Sequence, residues 1–130
     1  SVTIPKDLYK EFEAVAKSSG FKKRSKAVSE ALKRFISEYR SLESLPKVNC
    51  TGTITYTYRH DVPRLLENLL DIQHHYHNSI TSLLHVHLDP ERCLETIVFH
   101  GDVETFKKIV MKLRNLRTEN VQYVVVPRES

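Results

Sequence analysis

The sequence contains no tryptophan, one methionine, three glycines and two cysteines among its 130 residues. No apolar run approaches the roughly 20 residues that cross a bilayer, and no signal peptide is recognisable, so neither a membrane span nor a membrane partner is expected. Cys50 and Cys93 are too few for a disulfide framework, so a cytoplasmic location is expected. The chain does contain 40% hydrophobic and 28% charged residues, which is typical of folded globular domains.

Positive charge is unevenly distributed along the chain. Residues 1–48 hold eleven Lys and Arg against six Asp and Glu, a net charge of +5, whereas residues 49–130 hold nine against ten, a net charge of −1. The whole excess of +4 therefore lies in the first third of the chain. This asymmetry indicates a nucleic-acid-binding module joined to a nearly neutral second domain.

The first third of the chain predicts a strand followed by two helices. Residues 1–4 alternate in polarity and are followed by Pro5, as in a short strand. A first amphipathic helix then ends at Gly20, and Ser25 is a suitable N-cap for a second, longer helix. Because a lone strand would leave its backbone groups unpaired, we expect it to pair with the same strand of a second chain.

Three segments of this region, Ser1–Pro5, Gly20–Phe21 and Arg24–Ser25, resemble the ribbon-helix-helix family of DNA-binding dimers. The resemblance implies that residues 1–42 form a DNA-binding domain, with the paired strands in the major groove and the start of the second helix at a phosphate. A two-helix module that only dimerises is the alternative. The residues that would contact double-stranded DNA are Ser1, Thr3, Lys23, Arg24 and Ser25.

The rest of the chain predicts a second domain. Residues 43–49, which include Pro46, lose helical periodicity and are predicted to be a linker. Residues 50–130 then have the pattern β-α-β-β-α-β, with strands near 53–58, 80–88, 93–99 and 121–126 and helices capped by Asp61 and Asp102. This ferredoxin-like order resembles the effector-binding ACT modules. The predicted fold class is therefore α+β, a ribbon-helix-helix (β-α-α) module followed by an ACT-type domain.

Two histidines and a cysteine form the candidate metal site. His85 and His87 are two residues apart on a predicted strand and so point to the same face. Imidazole and thiolate ligands suit nickel, copper, zinc or cobalt better than magnesium or calcium. If His87 pairs with Cys93 across the hairpin, all three converge and Glu95 lies opposite His85; if Leu88 pairs with Cys93, the thiol faces away.

Three donors leave a coordination position for a fourth. His74, His75 and His77, near the end of the helix that follows Asp61, are the candidates, and their spacing does not decide among them. Nor does it decide whether the fourth ligand comes from the same chain. Tyr58 and His60 are further candidates to line this region.

Four short segments resemble the NikR family of nickel-responsive repressors: Gln73–His75, Leu84–His87, Cys93–Glu95 and Gly101–Asp102. The resemblance extends over nearly the whole chain. It implies a homotetramer, a dimer of dimers with the ACT-like domains in the middle, that binds operator DNA when nickel is present and so controls nickel uptake.

The same resemblance implies which residues bind the metal. Ni(II) would be held by His85, His87 and Cys93 of one chain and by His74 of another, in a square-planar site of three nitrogens and one sulfur. Glu95 is predicted to accept an imidazole N–H beside this site and so to fix the tautomer.

Other functions remain as alternatives. An ACT-type regulatory subunit would bind a small effector, although three glycines leave little for a glycine-rich effector loop. A ribbon-helix-helix regulator could also sense a different transition metal. An enzyme is not expected, because four protein ligands would leave a mononuclear zinc no open position for a substrate.

Overall fold

A computed structural model describes residues 1–128. The chain divides into two compact units, residues 1–44 and the residues from Leu45 onward. Within residues 1–128, every helix is too short or too polar to span a lipid bilayer. In chain order the elements are α1 Lys6–Ser18, α2 Arg24–Glu43, β1 Asn49–Arg59, α3 Leu65–His75, β2 Ile80–His87, β3 Arg92–Asp102, α4 Val103–Asn115 and β4 Glu119–Pro127.

The first unit consists of the two predicted helices. Residues 1–5 lie outside any helix or strand of the single chain, so the predicted ribbon, which needs a second chain, stays a prediction. The expected cap at Ser25 is wrong: α2 begins at Arg24 and its N-cap is Lys23, without a side-chain hydrogen bond. The helix also continues through Glu43, the first residue of the predicted linker.

The second unit is an antiparallel four-stranded sheet in the order β2-β3-β1-β4. Both central strands, β1 and β3, are longer than predicted, because each extends beyond the alternating apolar segment. Two helices, α3 and α4, connect the strands in the order β-α-β-β-α-β. The α+β, ferredoxin-like architecture expected of an ACT-like domain is therefore present.

Helices α3 and α4 cover one face of the sheet and form the core with it. Along β1, Cys50, Ile54, Tyr56 and Tyr58 are buried while the alternate threonines are not. The buried residues of α4 are Val103, Phe106, Ile109, Val110 and Leu113. Gly52 belongs to the same buried row, and a Cβ there would lie 2.5 Å from the carbonyl oxygen of Val124 on the adjacent strand. Only glycine therefore lets β1 and β4 approach each other here.

The two predicted helix caps of this unit have different outcomes. Asp102 does cap α4: its Oδ1 accepts a hydrogen bond of 2.8 Å from the backbone N–H of Thr105. The prediction for Asp61 is wrong, because α3 begins only at Leu65. The chain enters α3 through Arg64, whose φ of 64° lies in the left-handed region, while Asp61 accepts hydrogen bonds from Arg59.

Candidate metal centre

The register of the β2–β3 hairpin determines which way the candidate ligands point. His87 pairs with Cys93 and His85 pairs with Glu95, the arrangement under which the two imidazoles and the thiol share a face. A tight loop makes this register possible, because the backbone N–H of Leu88 donates to the carbonyl of Arg92 at 2.9 Å. Within the loop, Asp89 Oδ1 accepts hydrogen bonds from the backbone N–H groups of Glu91 and Arg92.

Three side chains converge on the side of the sheet that carries the helices. His85, His87 and Cys93 each offer a ligand atom within 4.8 Å of the other two, and we call these residues the ligand cluster. The Sγ atom of Cys93 lies 3.6 Å from Nδ1 of His87. Both histidines are exposed while Cys93 is buried, so the cluster is reachable from solvent through its imidazoles. Two nitrogens and one sulfur fit a borderline-soft divalent metal such as nickel.

Glu95 is a buried acidic residue beside the cluster, and its carboxyl group has three hydrogen-bond partners. The hydroxyl of Tyr56 donates to Oε1 at 2.8 Å, and the amide of Gln73 donates to the same oxygen at 3.4 Å. The other oxygen, Oε2, lies 3.1 Å from Nδ1 of His85. With the shared proton on His85, the lone pair of its Nε2 is available to a metal. The contact predicted between Glu95 and an imidazole is present.

Two ionisable groups in this region have raised pKa values. Burial, followed by the carboxylates of Glu95 and Asp89, raises the pKa of the Cys93 thiol, although a hydrogen bond with Tyr58 opposes the rise. Burial and Glu95 also raise the pKa of Tyr58 to about 12. Without a metal, Cys93 therefore holds its proton at neutral pH, and Tyr58 remains a hydrogen-bond donor.

The end of β1 braces the loop that precedes Cys93. His60 Nε2 lies 2.7 Å from the carbonyl oxygen of Pro90, and the backbone N–H of His60 donates to the carbonyl of Glu91. Arg59 forms an ion pair of 2.9 Å with Glu91. His60 therefore contacts the hairpin loop, whereas Tyr58, whose ring centroid is 6.4 Å from that of His85, lines the cluster itself.

His74, His75 and His77 lie at the exposed end of α3. The rings of His74 and His77 are stacked with centroids 6.0 Å apart, and His75 packs edge-on against Tyr76. Within residues 1–128, none of the three belongs to the ligand cluster. His74 does follow Gln73, whose amide donates to Glu95, and Glu95 in turn contacts His85 of the cluster.

The predicted DNA-contacting residues lie in the first unit. Ser1 and Thr3 are exposed and precede α1. Lys23 is the N-cap of α2, and Arg24 and Ser25 are the first two residues of that helix. Arg24 already has a partner, because its guanidinium pairs with Glu13 of α1 at 2.9 Å.

Tyr56 and Gln73 contact Glu95, although the sequence alone predicted no role for either. Tyr56 alternates with Ile54 and Tyr58 on β1, and that pattern predicts its burial. A buried tyrosine needs a hydrogen-bond partner for its hydroxyl group. The predicted burial of Tyr56 therefore could have indicated a polar side chain next to it. Gln73 carried no comparable signal, because its partner Glu95 is 22 residues away.

Comparison of the sequence with known proteins identifies the family of this chain. Residues 51–126 match the sequence model of the NikR C-terminal nickel-binding domain. A relative from Dictyoglomus turgidum is 39% identical over 116 residues, 89% of this chain and 84% of the relative. A relative from Pyrococcus furiosus is 38% identical over 89% of this chain and 83% of its own length.

A third relative, from Methanothermobacter thermautotrophicus, is 35% identical over 95% of this chain and 86% of its own length. All three relatives are named nickel-responsive regulators, the last as number 2. The family is thus one of regulators and not of enzymes. The domain match covers more than half of the chain and the relatives align over most of their length, so the chain belongs to the NikR family of nickel-responsive regulators.

Proposed function

We propose that this chain is a nickel-dependent repressor that binds operator DNA and controls nickel uptake. The observation that carries the proposal is the convergence of His85, His87 and Cys93 within a region that matches a nickel-binding domain. Two imidazoles and a thiolate are donors that nickel accepts, and the paired strands β2 and β3 hold them in a defined relative position.

The fourth ligand in this proposal is His74 of another chain. The exposed position of His74 at the end of α3 supports a contact outside its own chain. Bound Ni(II) would supply the link between donors on two chains. Because the donors belong to two subunits, occupancy of the site depends on the relative placement of those subunits, which is the basis of an allosteric response. Glu95 orients His85 in this arrangement.

The first unit supplies the DNA-binding function in this proposal. Both α1 and α2 leave large apolar side chains exposed in the single chain, which supports dimerisation through these helices. They include Leu8, Val15, Leu32, Phe35 and Ile36. In such a ribbon-helix-helix dimer, Ser1 and Thr3 contact base edges, whereas Lys23, Arg24 and Ser25 contact a phosphate.

The second unit supports assembly into a homotetramer. The sheet face opposite the helices carries exposed apolar side chains at Leu84, Val86, Val124 and Val126. Exposed apolar patches of this kind commonly mark protein–protein interfaces. We infer that two ribbon-helix-helix dimers are joined through these ACT-like domains, so that both dimers are coupled to the metal sites.

The direct test is DNA binding with and without nickel. We expect the chain to bind its operator duplex in Ni(II) and to release it after chelation, as measured by mobility shift or fluorescence anisotropy. The His85→Ala, His87→Ala double variant should fold but lose the nickel-dependent binding. Full operator affinity in that double variant, or equal affinity after chelation of the native chain, would refute the mechanism.

Nickel binding should depend on pH because the thiol must lose its proton. The pKa of Cys93 is raised above the ordinary value of 9.0, so the thiol is protonated at neutral pH. Each unit by which the pH falls should then lower the apparent nickel affinity about tenfold through this group alone. Competition titrations at several pH values measure the slope. The Cys93→Ser variant should show a shallower slope, and a native chain with pH-independent affinity would contradict thiolate ligation.

A further inference from the structure

A basic groove lies at the corner between α1 and α2. It has a volume of about 760 Å³, and its lining includes Lys17, Lys22, Lys23 and Arg24. Glu13, on α1, is the one acidic residue that lines it within the described chain. The groove therefore favours binding of an anion, and the carboxylate of Glu13 already lies in it.

Two residues of α1, Glu13 and Tyr9, contact Arg24. Its guanidinium pairs with Glu13 at 2.9 Å and lies 5.5 Å from the centroid of the Tyr9 ring. The side chains of Arg24 and Glu13 are 67% and 42% exposed, so solvent and a docking polyanion can reach both. An exposed pair of this kind is weak and can be displaced by a competing anion.

The start of α2 lacks the acidic group that helix electrostatics favour. Its first turn has no acidic residue and its N-cap makes no side-chain hydrogen bond, although Lys23 and Arg24 add positive charge there. Negative charge near a helix N-terminus is stabilising, and positive charge is destabilising. Glu13 supplies from α1 the charge that α2 lacks. A DNA phosphate at the same corner would also supply negative charge to the start of α2.

We infer that Glu13 competes with DNA phosphates for Arg24 and thereby lowers the affinity of this protein for DNA of arbitrary sequence. The inference rests on the proposed DNA-binding function. Phosphate contacts are the same for every sequence, whereas the predicted base contacts of Thr3 are not. Weakening one phosphate contact therefore lowers the affinity for operator and for other DNA by the same factor, which makes Glu13 a residue that sets the overall strength of DNA binding.

The test compares Glu13→Gln with Glu11→Gln in the full nickel-loaded chain. Glu11 is exposed on the same helix, so the control removes the same charge. On a mixed-sequence duplex, Glu13→Gln should bind about threefold more tightly than the control, from the range measured for exposed ion pairs. The dependence of log affinity on log salt should steepen by about one unit. The DNA-free Glu13→Gln protein should melt at a slightly lower temperature. If Glu13 had only a structural role, its loss would lower the duplex affinity as well as the melting temperature.

A second background isolates the role of Arg24. In Arg24→Gln, the added Glu13→Gln change should no longer increase duplex affinity beyond that of Glu11→Gln. The inference is overturned if Glu13→Gln and Glu11→Gln bind the duplex alike, or if the gain persists without Arg24.

Elution from a heparin column separates this inference from the proposed function. Heparin is a polyanion, so Glu13→Gln should elute at higher salt than Glu11→Gln even if the native chain binds no duplex. In that case the DNA-binding proposal fails while the competition at Arg24 stands. Co-elution of the two variants would reject the competition whether or not DNA binds.

Discussion

Replacing Cys93 with serine is expected to remove the nickel–thiolate charge-transfer absorption and to lower nickel affinity by at least about 100-fold. Loss of an outer partner of a metal ligand typically costs 10–100-fold, and loss of the thiolate itself should cost more. Cys93 is also the buried member of the ligand cluster, whereas His85 and His87 are exposed. The optical spectrum of the Ni(II) complex and a competition titration measure the two effects.

Cys50→Ala is the matched control for this change. Cys50 is also a buried free cysteine, but it pairs with Gly101, whereas Tyr58, eight residues further along β1, pairs with Cys93. At about 3.3 Å per residue the two thiols are some 26 Å apart. The control should keep both the absorption band and the affinity. A band that survives in Cys93→Ser, or that disappears equally in Cys50→Ala, would show that Cys93 is not the sulfur ligand.

Mixing two defective variants is expected to restore tight nickel binding. The His74→Ala chain keeps the ligand cluster, and the His85→Ala, His87→Ala chain keeps His74. Each alone should bind nickel at least about 100-fold more weakly than the native protein, because each lacks a direct ligand. In hybrid assemblies, some sites combine an intact cluster with an intact His74. Stoichiometric titration of the co-refolded mixture should therefore reveal a fraction of tight sites.

His75→Ala serves as the control for this experiment. His75 is exposed at the same helix end, and its ring packs against Tyr76 rather than on His74. It should bind nickel as the native protein does. If His74→Ala retains native affinity while His75→Ala or His77→Ala loses it, the fourth ligand is wrongly assigned. If the mixture regains no tight sites, the ligands do not come from two chains.

Both predictions depend on how β2 and β3 are paired. A shift of one residue would place Leu88 opposite Cys93 and turn the thiol to the other face of the sheet. Arg59 at the end of β1 and His60 just after it stabilise the observed register, since they contact Glu91 and Pro90 of the hairpin loop. The ligand cluster is therefore a property of the sheet as a whole and not of the hairpin alone.

Local sequence patterns predicted most of the elements and the types of donor atom. The alternation from Thr53 to Tyr58 predicted β1, and Asp102 predicted the start of α4. The spacing of His85 and His87 placed both on one side of a strand. These features are local: they depend on the two-residue period of strands and the 3.6-residue period of helices, which a single segment displays.

Contacts between residues that are far apart in the sequence are visible in the folded chain alone. The fold places Cys93 opposite His87, directs Tyr56 and Gln73 to Glu95, and pairs Arg24 with Glu13. Helix α3 begins at Leu65 and not at the predicted Asp61, because Asp61 accepts hydrogen bonds from Arg59 instead. Such contacts depend on strand register and helix placement, and these are set by packing across the whole sheet.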